Sequence, residues 1–494
     1  MTTIEQFLQK AALANVVPVT TTVSADLLTP LGVYLKLSKA SPNAFLLESV
    51  EGGESLARYS FIGADPKMIA RGSDQRVTLT TGEGEHTVDT SVIELLRKHF
   101  AEHMAIEDPD LPTFIGGAIG YLGYDCSEWF EPVLRSGDKV ETQKDDSVLF
   151  FFRSVVAFDH AKQIIEIVSL VLTEEAFGDQ NRLEHLFADA VKTNQSIASI
   201  LENDSIKLPA RSNGINGPVA SNWNRNDFED AVRTVKQLID AGECYQVVLS
   251  QCFSKPTSAT DVAIYRAVRS LNPSPYMFLL RNGERSIIGA SPEMLVRCRA
   301  SMLEYRPIAG TRPRGESAAA DQLLAGEMLA DTKEISEHMM LVDLGRNDLG
   351  RVAEFGSVDV LELMSVEKYS HVQHMVTSLS ARLRPGLDRF DAIASCFPAG
   401  TVTGAPKVRA MQIIRDLEPT TRGVYAGAVG YFDYSGNMDT CIAIRTLVLE
   451  KGVAHVHAGA GIVADSVPSL EYEETVNKAA ALLKAVEIAE AIVG

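Results

Sequence analysis

The 494-residue chain is longer than one ordinary domain, and its apolar fraction of 46% is enough for a large core. Its formal net charge of −19 argues against nucleic acid and against an anionic membrane surface as partners, because both are bound through an excess of Lys and Arg. Its six cysteines lack C-x-x-C spacing, which excludes a familiar zinc motif and argues against a disulfide framework.

The first part of the chain, residues 1–201, mixes strand and helix patterns. MTTIEQFLQKAALANVV predicts an amphipathic helix rather than a signal peptide, and no apolar run reaches about 18 residues, so we expect a cytoplasmic protein without a membrane span. Strands are predicted at FLLES, YSFIGADP, RVTLTT and HTVDT, a helix at VIELLRKHFAEH, and a glycine-rich turn at IGGAIGYLGYD. SVLFFFRSVVAFDH and QIIEIVSLVL predict a hairpin, and a helix is expected at about 174–200.

Residues 202–223 are rich in Asn, Ser, Gly and Pro and predict a linker between a domain at 1–201 and a larger one at 224–494. Beyond it we expect a helix over 226–241, a strand at CYQVVLSQCFS, a meander of MFLLRN, SIIGASP and MLVRC, and a loop at PIAGTRPRG. The turn FPAGTVTGAPK precedes a helix, and strands follow at GAVGYFDY, TCIAIRTLVLE and VAHVHAGAGIV. These patterns predict α/β layering with antiparallel strands and contain no dinucleotide or P-loop fingerprint.

Two acidic stretches, residues 331–351 and 469–479, both predict helices. Asp331 stands three residues before Glu334 as an N-cap, and Glu337 follows one turn later. Glu471 and Glu474 repeat this spacing in the second stretch. A Glu-x-x-Glu pair alone is typical of a solvated helix face. Apolar runs adjoin both pairs, however, and carboxylates that lose hydration beside one another need a cation, for which Mg²⁺ is suited.

A series of motifs in the same order resembles the chorismate-utilising enzymes, and among them the anthranilate synthase component I family. The motifs are LLES (46–49), ARYSFIG (57–63), YQVVLSQ (245–251), NPSPYMF (272–278), SPE (291–293), PIAGTRPRG (307–315), EHMMLVDLGRND (337–348), HVQH (371–374), FPAGTVTGAPK (397–407), YAGAVGY (425–431), IAIRT (442–446), GAGIVADS (459–466) and EYEETVNKA (471–479). The resemblance implies an α/β (α+β) sandwich with a smaller N-terminal regulatory domain and a chorismate cleft in the larger domain.

The resemblance also implies a reaction: a Mg²⁺-dependent lyase converts chorismate and ammonia to anthranilate and pyruvate, the first committed step of tryptophan biosynthesis. By matching positions, Glu337 and Glu474 are the metal ligands, and Glu334 and Glu471 orient water around the ion. The implied substrate contacts are Gly310, Thr311, Thr401, Tyr425, Arg445, Lys478 and the backbone amides of Gly459, Ala460 and Gly461.

Two further residues match chemical roles. A hydroxyl group leaves poorly without a proton, and Glu293 of the SPE motif matches the general acid that supplies it. His374 matches the residue that moves a proton during pyruvate elimination. Without the surrounding motifs, a Glu after Pro is more typical of a turn, and an isolated His of a hydrogen-bonded core position.

Two positions separate the chemistries of related enzymes. The water-adding isochorismate and salicylate synthases carry a lysine base where this chain has Gln246. Aminodeoxychorismate synthase component I resembles PIKGT with a nucleophilic lysine, where this chain has Ala309. Both positions favour addition of ammonia at C2. A non-catalytic amino-acid sensor is a further alternative, which the intact acidic and histidine positions disfavour.

The resemblance implies two kinds of partner. The chain carries no nucleophile-elbow cysteine of a glutamine amidotransferase, so we expect ammonia from a separate small subunit (component II), in a heterotetramer of two large and two small subunits. Tryptophan is the implied feedback inhibitor. Its predicted site combines Glu48 and Ser49 of LLES with Pro275, Tyr276 and Met277 of NPSPYM, the last three as an apolar slot for the indole.

Overall fold

The computed structural model describes residues 1–49, 58–135, 146–206, 217–369 and 372–491. Within these ranges the chain forms twelve α-helices and 24 strands. The helices α1 to α12 are Ile4–Ala11, Pro30–Leu37, Val92–Glu102, Ser127–Phe130, Gln180–Asn203, Arg225–Asp240, Asp261–Leu271, Ala318–Ala330, Thr332–Gly350, Arg389–Cys396, Lys407–Leu417 and Pro468–Ala491. The strands β1 to β24 are Val16–Ser24, Asn43–Glu48, Tyr59–Ala64, Met68–Gly72, Val77–Thr81, Gly84–Val88, Gly117–Leu122, Ser147–Phe152, Ser154–Asp159, Ile164–Leu172, Ala220–Ser221, Gln246–Pro256, Tyr276–Asn282, Arg285–Ser291, Met294–Arg299, Met302–Tyr305, Ile308–Pro313, Asp359–Lys368, Val372–Arg382, Gly404–Ala405, Ala428–Asp433, Met438–Ile442, Thr446–Glu450 and Val453–Ile462.

The strands form two large antiparallel sheets. The first has the order β1-β10-β9-β3-β2-β13-β14-β23-β24-β12-β11, with β20 beside β12. The second has the order β17-β19-β16-β15-β22-β21-β7-β8-β4-β5-β6, with β18 beside β19. Facing aromatic and aliphatic residues such as Phe45, Phe150 and Phe278 form a common buried cluster. The predicted mixed α/β fold with antiparallel strands is confirmed.

Both sheets contain strands from each side of the predicted linker. In the first sheet β2 pairs with β13, and in the second β7 pairs with β21. The last helix before the linker ends at Asn203, the next strand begins at Ala220, and residues 207–216 lie outside the described residues. The division into two domains stays a prediction, and any such domains share both sheets.

Several predicted strands are divided between the sheets. SVLFFFRSVVAFDH breaks at Arg153, so β8 lies in the second sheet and only β9 forms the predicted hairpin with β10. TCIAIRTLVLE likewise divides into β22 and β23, and the predicted meander is wrong because β15 leaves the sheet of β13 and β14. An alternating pattern shows which residues share a face, but not which of two sheets a strand joins.

Two predicted turns or loops are strands. The glycine-rich segment forms β7, where a Cβ on Gly120 would lie 1.9 Å from the carbonyl oxygen of Val148 on the neighbouring strand. Glycine is therefore required by the close approach of two backbones rather than by a turn. PIAGTRPRG contains β17, which pairs with β19.

The acidic helices form as predicted. Asp331 caps α9 by accepting hydrogen bonds from the amides of Lys333 and Glu334. The second acidic stretch begins α12, directly after the loop that follows β24. The helix predicted at 226–241 is α6, which begins at Arg225 and has Asn224 as its N-cap. In the part of the chain described here, no helix is long and apolar enough to cross a membrane.

Candidate active site

A cleft of about 640 Å³ lies between the ends of β12 and β24, the helices α9 and α12, and the turn at 397–406. Most of the residues predicted for the site line it: Gln246, Glu293, Glu337, Thr401, Tyr425, Arg445, Gly459, Gly461, Glu471, Glu474 and Lys478. These residues come from segments up to about half the chain apart, and the paired strands and two acidic helices bring them together.

Glu293 is the most strongly perturbed acid of the cleft. Burial raises the pKa of its carboxyl group to about 8, against a weaker opposing effect of the Thr401 hydroxyl. The carboxyl group is therefore mostly protonated at neutral pH. The Oε1 atom of Gln246, another residue of the cleft lining, is buried and has no hydrogen-bond partner among the described residues. Such orphaned polar atoms are typical of a ligand site.

Backbone amides of β24 are available to a ligand at two of the three predicted positions. Val248 and Ser250 of β12 donate their amide protons away from β24. Their partners in the ladder, Gly461 and Gly459, therefore form non-hydrogen-bonded pairs, whose N–H groups also point away from the partner strand. Ala460 instead occupies the hydrogen-bonded position and is buried in the core. The prediction that Ala460 contributes its amide is wrong, because the ladder with β12 uses it.

Carboxylates from α9 and α12 meet at one side of the cleft. Burial and then the charge of Glu334 raise the pKa of Glu337, and Glu474 acts in the same direction. Burial and then Glu474 raise the pKa of Glu471. The Nζ atom of Lys478 lies 2.6 Å from Glu474. Mutual repulsion of desolvated carboxylates is the condition that a bound cation relieves.

The carboxylates of this group fit a hard cation that takes few ligands from the protein. Within the described ranges, no group of three or more His, Cys, Asp or Glu side chains is placed to hold a metal ion. The two predicted ligands, Glu337 and Glu474, would offer one carboxylate each. Mg²⁺ usually takes one or two carboxylates and completes its shell with water and an anionic substrate, so this pair suits Mg²⁺ better than Zn²⁺.

A half-buried arginine lies beside this acidic group. Arg445 connects β22 to β23 with a φ angle of 49°, a left-handed conformation that is uncommon outside glycine. Its guanidinium donates to the carbonyl oxygen of Lys478 at 3.2 Å, which leaves most of its five donors for a ligand. Tyr425 lies nearby, with its hydroxyl 2.7 Å from the position that a Cβ on Gly459 would occupy. Strained backbone at a charged residue is typical of functional sites.

Four predicted residues lie together beside the cleft rather than in its lining. The Nδ1 atom of His374 lies 3.0 Å from Thr311 Oγ1 and 3.2 Å from the carbonyl oxygen of Gly310. Glu334 forms an ion pair with Arg312 at 2.9 Å and lies next to Gly310. Burial lowers the pKa of His374, and the nearby charge of Arg445 adds to this effect. His371, which begins the HVQH motif, lies outside the described residues.

Further residues of the cleft were missed from the sequence. They are Lys333, Ser336, Met340, His457, Asp465 and Ser466. His457 stacks on Tyr425 with ring centroids 5.5 Å apart. Its position two residues before Gly459 was a usable signal, because alternate strand residues share a face. The residues on the loop after β24 gave no such signal.

A second cavity of about 480 Å³ lies between the two sheets. Glu48, Ser49, Pro275, Tyr276 and Met277 line it, so the residues predicted for tryptophan are brought together. Its other walls, which the sequence analysis missed, include Arg58, Tyr59, Phe61, Arg297, Tyr431 and Asp439. The aromatic side chains are suited to hold an apolar ring system.

Glu48 lines this cavity, but its carboxylate already has partners. Its carboxylate accepts hydrogen bonds from the Tyr265 hydroxyl at 2.5 Å and from Arg269 at 3.2 Å, and its side chain is 2% exposed. The carboxylate is therefore not free to accept an ammonium group. Asp439, whose carboxylate binds Arg297 at 2.8 Å, is a second acidic residue of this cavity.

Comparison with known proteins agrees with this arrangement. The family model for chorismate binding enzymes matches residues 42–484. Anthranilate synthase component 1 of Pseudomonas putida is 43% identical over 98% of this chain and 98% of its own length, and that of Pseudomonas aeruginosa is 44% identical over 98% and 99%. The crystal structure of anthranilate synthase component I from Streptococcus pneumoniae covers 93% of this chain and 98% of its own, with a TM-score of 0.75 and 35% identity. The chain therefore belongs to the chorismate binding enzyme family, and within it to the anthranilate synthase component 1 proteins.

Proposed function

We propose that the cleft converts chorismate and ammonia to anthranilate and pyruvate. The observation that carries the proposal is a buried carboxyl group, Glu293, which is protonated near neutral pH and shares the cleft with the acidic pair of α9 and α12 and with Arg445. A proton donor, a cation site and an anion-binding group are the three features that a dicarboxylate with a hydroxyl leaving group requires. Gln246 and Ala309 favour ammonia as the nucleophile and C2 as its target.

Substrate binding uses the cationic and amide donors of the cleft. Arg445 offers a planar fork to the enolpyruvyl carboxylate, and the amides of Gly459 and Gly461 are aimed into the same space. The hydroxyl groups of Tyr425 and Thr401 add neutral donors. The ring carboxylate is directed towards the acidic helices, where Lys478 contributes positive charge.

The addition step needs an acid. Ammonia adds its lone pair to C2 of the ring, the double bonds shift, and the C4–oxygen bond breaks. Glu293 donates a proton to the departing oxygen, so water leaves. The carboxyl group is held in its protonated form by burial, which suits a donor at neutral pH.

The elimination step needs a base. Because a carbonyl oxygen can only accept, the contact with Gly310 assigns the proton of neutral His374 to Nδ1 and leaves Nε2 with its lone pair. His374 takes the proton from C2, the ring becomes aromatic, and pyruvate leaves as the enolpyruvyl ether bond breaks and its methylene carbon gains a proton. Burial keeps His374 uncharged and able to act as this base.

Glu337 and Glu474 would hold Mg²⁺, with Glu334 and Glu471 orienting its water. The bound ion supplies Lewis-acid stabilisation of the ring carboxylate. Where no cation lies between them, the carboxylates repel the substrate anion. The need for a bound cation explains how two acidic helices can face an anionic substrate.

The proposal includes a partner and an inhibitor. Ammonia comes from the glutamine amidotransferase component of the synthase, in an assembly of two large and two small subunits, and the protein is cytoplasmic. The second cavity binds tryptophan, with the indole between the aromatic walls and Met277, and Ser49 at its polar end.

One assay tests the central proposal. Purified protein with chorismate, an ammonium salt and Mg²⁺ should produce the fluorescence of anthranilate, and glutamine alone should not replace ammonium. Chromatography distinguishes anthranilate from 4-amino-4-deoxychorismate, the product expected of the aminodeoxychorismate synthases. Formation of the latter, or consumption of chorismate without an aminated product, would refute the proposal.

A further inference from the structure

A buried ion pair lies directly behind the wall of the cleft, in the segment that joins α11 to β21. Arg422 and Glu418 are 1% and 5% exposed and meet in a bidentate contact, with distances of 2.7 Å and 2.9 Å. Neither residue reaches the cleft, and neither is part of the chemistry described above. Pairs of this kind contribute little net stability, because desolvation offsets most of the attraction. Their contacts therefore need another explanation.

The pair binds backbone groups that no strand pairs with. Arg422 donates to the carbonyl oxygens of Val248 and Val402, each at 2.7 Å, and Glu418 accepts from the amide of Ser250 at 2.8 Å. These groups of β12 point away from β24. The short strand β20 pairs only with Gln246 and Val247 on this side. Buried backbone groups need partners, so the two side chains replace the missing continuation of a strand.

The same arginine packs on the aromatic wall of the cleft. Its guanidinium carbon lies 5.6 Å from the ring centroid of Tyr425 and 4.6 Å from that of Tyr124. Val248, Val402 and Tyr425 all line the cleft. One side chain therefore contacts three cleft-lining segments from behind: the strand of Gln246, the turn of Thr401, and the ring whose hydroxyl lies beside Gly459.

We propose that Arg422, held by Glu418, is a positioning residue that fixes Gln246, Thr401 and Tyr425 relative to one another for the reaction. The inference rests on the proposed function but concerns residues that touch neither substrate nor metal. The planar guanidinium is essential, because it donates hydrogen bonds in three directions at once. A lysine ammonium cannot reproduce that geometry. Misplacement of reacting groups by about 1 Å can cost on the order of 10²-fold in rate.

The test compares two buried arginines. Arg389 is also buried, donates to the backbone carbonyl oxygens of Asp433 and Asn437, and packs on Phe432, but it lies away from the cleft. Arg422→Lys should lower kcat per folded molecule by roughly 10²-fold. Arg389→Lys should lower the melting temperature to a similar degree and leave kcat within about twofold. A fluorescent anthranilate assay and thermal unfolding measure the two quantities on the same samples.

A double-mutant cycle gives a readout that loss of stability alone does not change. If Arg422 acts through Tyr425, the Arg422→Lys change should cost much less in the Tyr425→Phe background than in the wild type. Glu418→Gln keeps the acceptor for Ser250 but removes the charge, and provides a milder variant if Arg422→Lys does not fold. Full additivity, or equal loss of kcat in Arg422→Lys and Arg389→Lys, would overturn the proposal. An inactive wild type would instead refute the proposed function.

Discussion

The cleft and the second cavity hold their charged groups in opposite ways. In the cleft, burial and then the neighbouring carboxylates Glu334 and Glu474 raise the pKa of Glu337, even though Lys478 lies 2.6 Å from Glu474. In the second cavity the charges are already compensated, since Asp439 binds Arg297 and Arg58 binds Asp159 at 2.9 Å. Unrelieved charge is typical of a site that awaits substrate and metal, whereas compensated charge with aromatic walls is typical of a site that only binds.

One strand connects these two environments. Asp439 and Cys441 of β22 line the second cavity, and the residues just after its end, Ile444 and Arg445, line the cleft. The amide of Ile442 also donates to the carbonyl oxygen of Glu293 at 3.0 Å. A shift of β22 on ligand binding would therefore reach both Arg445 and Glu293. This short path gives a physical basis for the proposed inhibition of the cleft from the second cavity.

The strongest test of this comparison is to remove charge from Glu337 or Glu474, the acidic pair of α9 and α12. Glu337→Gln and Glu474→Gln each keep the shape of the side chain but remove a charge from the cation site. Turnover should fall by about 10³-fold, because the weakened cation site no longer stabilises the negative charge that develops on the substrate. Calorimetric titration with Mg²⁺ should show weaker binding in both variants, independently of activity.

A neighbouring residue provides the control. Glu473 lies on the same helix but forms an exposed ion pair with Arg225 at 2.7 Å. Glu473→Gln should retain Mg²⁺ binding and turnover. If the wild type were fully active in excess chelator, or if Glu473→Gln were as impaired as Glu474→Gln, the assignment of the metal site would be wrong.

The two chemical steps can be separated within the site. Glu293→Gln removes the acid for the departing hydroxyl and should stop chorismate consumption, since general acids contribute about 10²- to 10⁴-fold. His374→Met should still consume chorismate and accumulate the aminated intermediate that retains the enolpyruvyl group. Chromatography of the products decides the matter. Equal loss of both steps in both variants, with no intermediate in either, would contradict this division of labour.

The second cavity should respond to a change that leaves the cleft untouched. Ser49→Phe places a ring in the space proposed for the indole and should relieve inhibition by tryptophan, with the chorismate reaction nearly intact. A coupling of about 1–3 kcal/mol between the sites corresponds to 5- to 150-fold inhibition. Linkage is reciprocal, so chorismate should weaken tryptophan binding in the wild type by the same factor.

Ser24→Phe, at the exposed end of β1, controls for the added ring itself. This variant should remain as sensitive to tryptophan as the wild type. A Ser49→Phe variant inhibited as strongly as the wild type, or a wild type insensitive to millimolar tryptophan, would remove the basis for the regulatory site.

Local features of the fold could be predicted from the sequence, and the division of strands between sheets could not. The acidic helices, their cap at Asp331 and the mixed α/β class follow from spacing and residue type. The break at Arg153 does not, because a continuous alternating run gives no sign of where the chain crosses from one sheet to the other. Such crossings are decided by the packing of both sheets.

The candidate site shows the same limit. Motifs predict which residues lie together in a site. They do not predict which face of a strand each residue occupies or which backbone groups form hydrogen bonds between strands. Ala460 was misjudged because the pairing register of β12 with β24 decides that the ladder uses its amide. Glu48 was misjudged because its carboxylate already has a partner. Asp439 was missed because an acidic residue after a turn has no distinguishing pattern. The register of a sheet is set by long-range contacts that a single sequence does not display.

The last and smallest expected effect concerns stability rather than rate. Burial raises the pKa of Glu293 from an ordinary 4.5 to about 8, so the folded protein binds one more proton than the unfolded chain between these values. Stability from this group is therefore complete below about pH 4.5 and is lost as the pH rises through 8. Glu293→Gln cannot ionise, and its gain in unfolding free energy over the wild type should grow to a few kcal/mol across that window. Urea unfolding of both proteins at pH 5 and pH 8, in the same salt, measures this difference. A difference that is constant with pH would mean that Glu293 ionises normally in the folded protein, and the cleft would then lack the proton donor on which its chemistry depends.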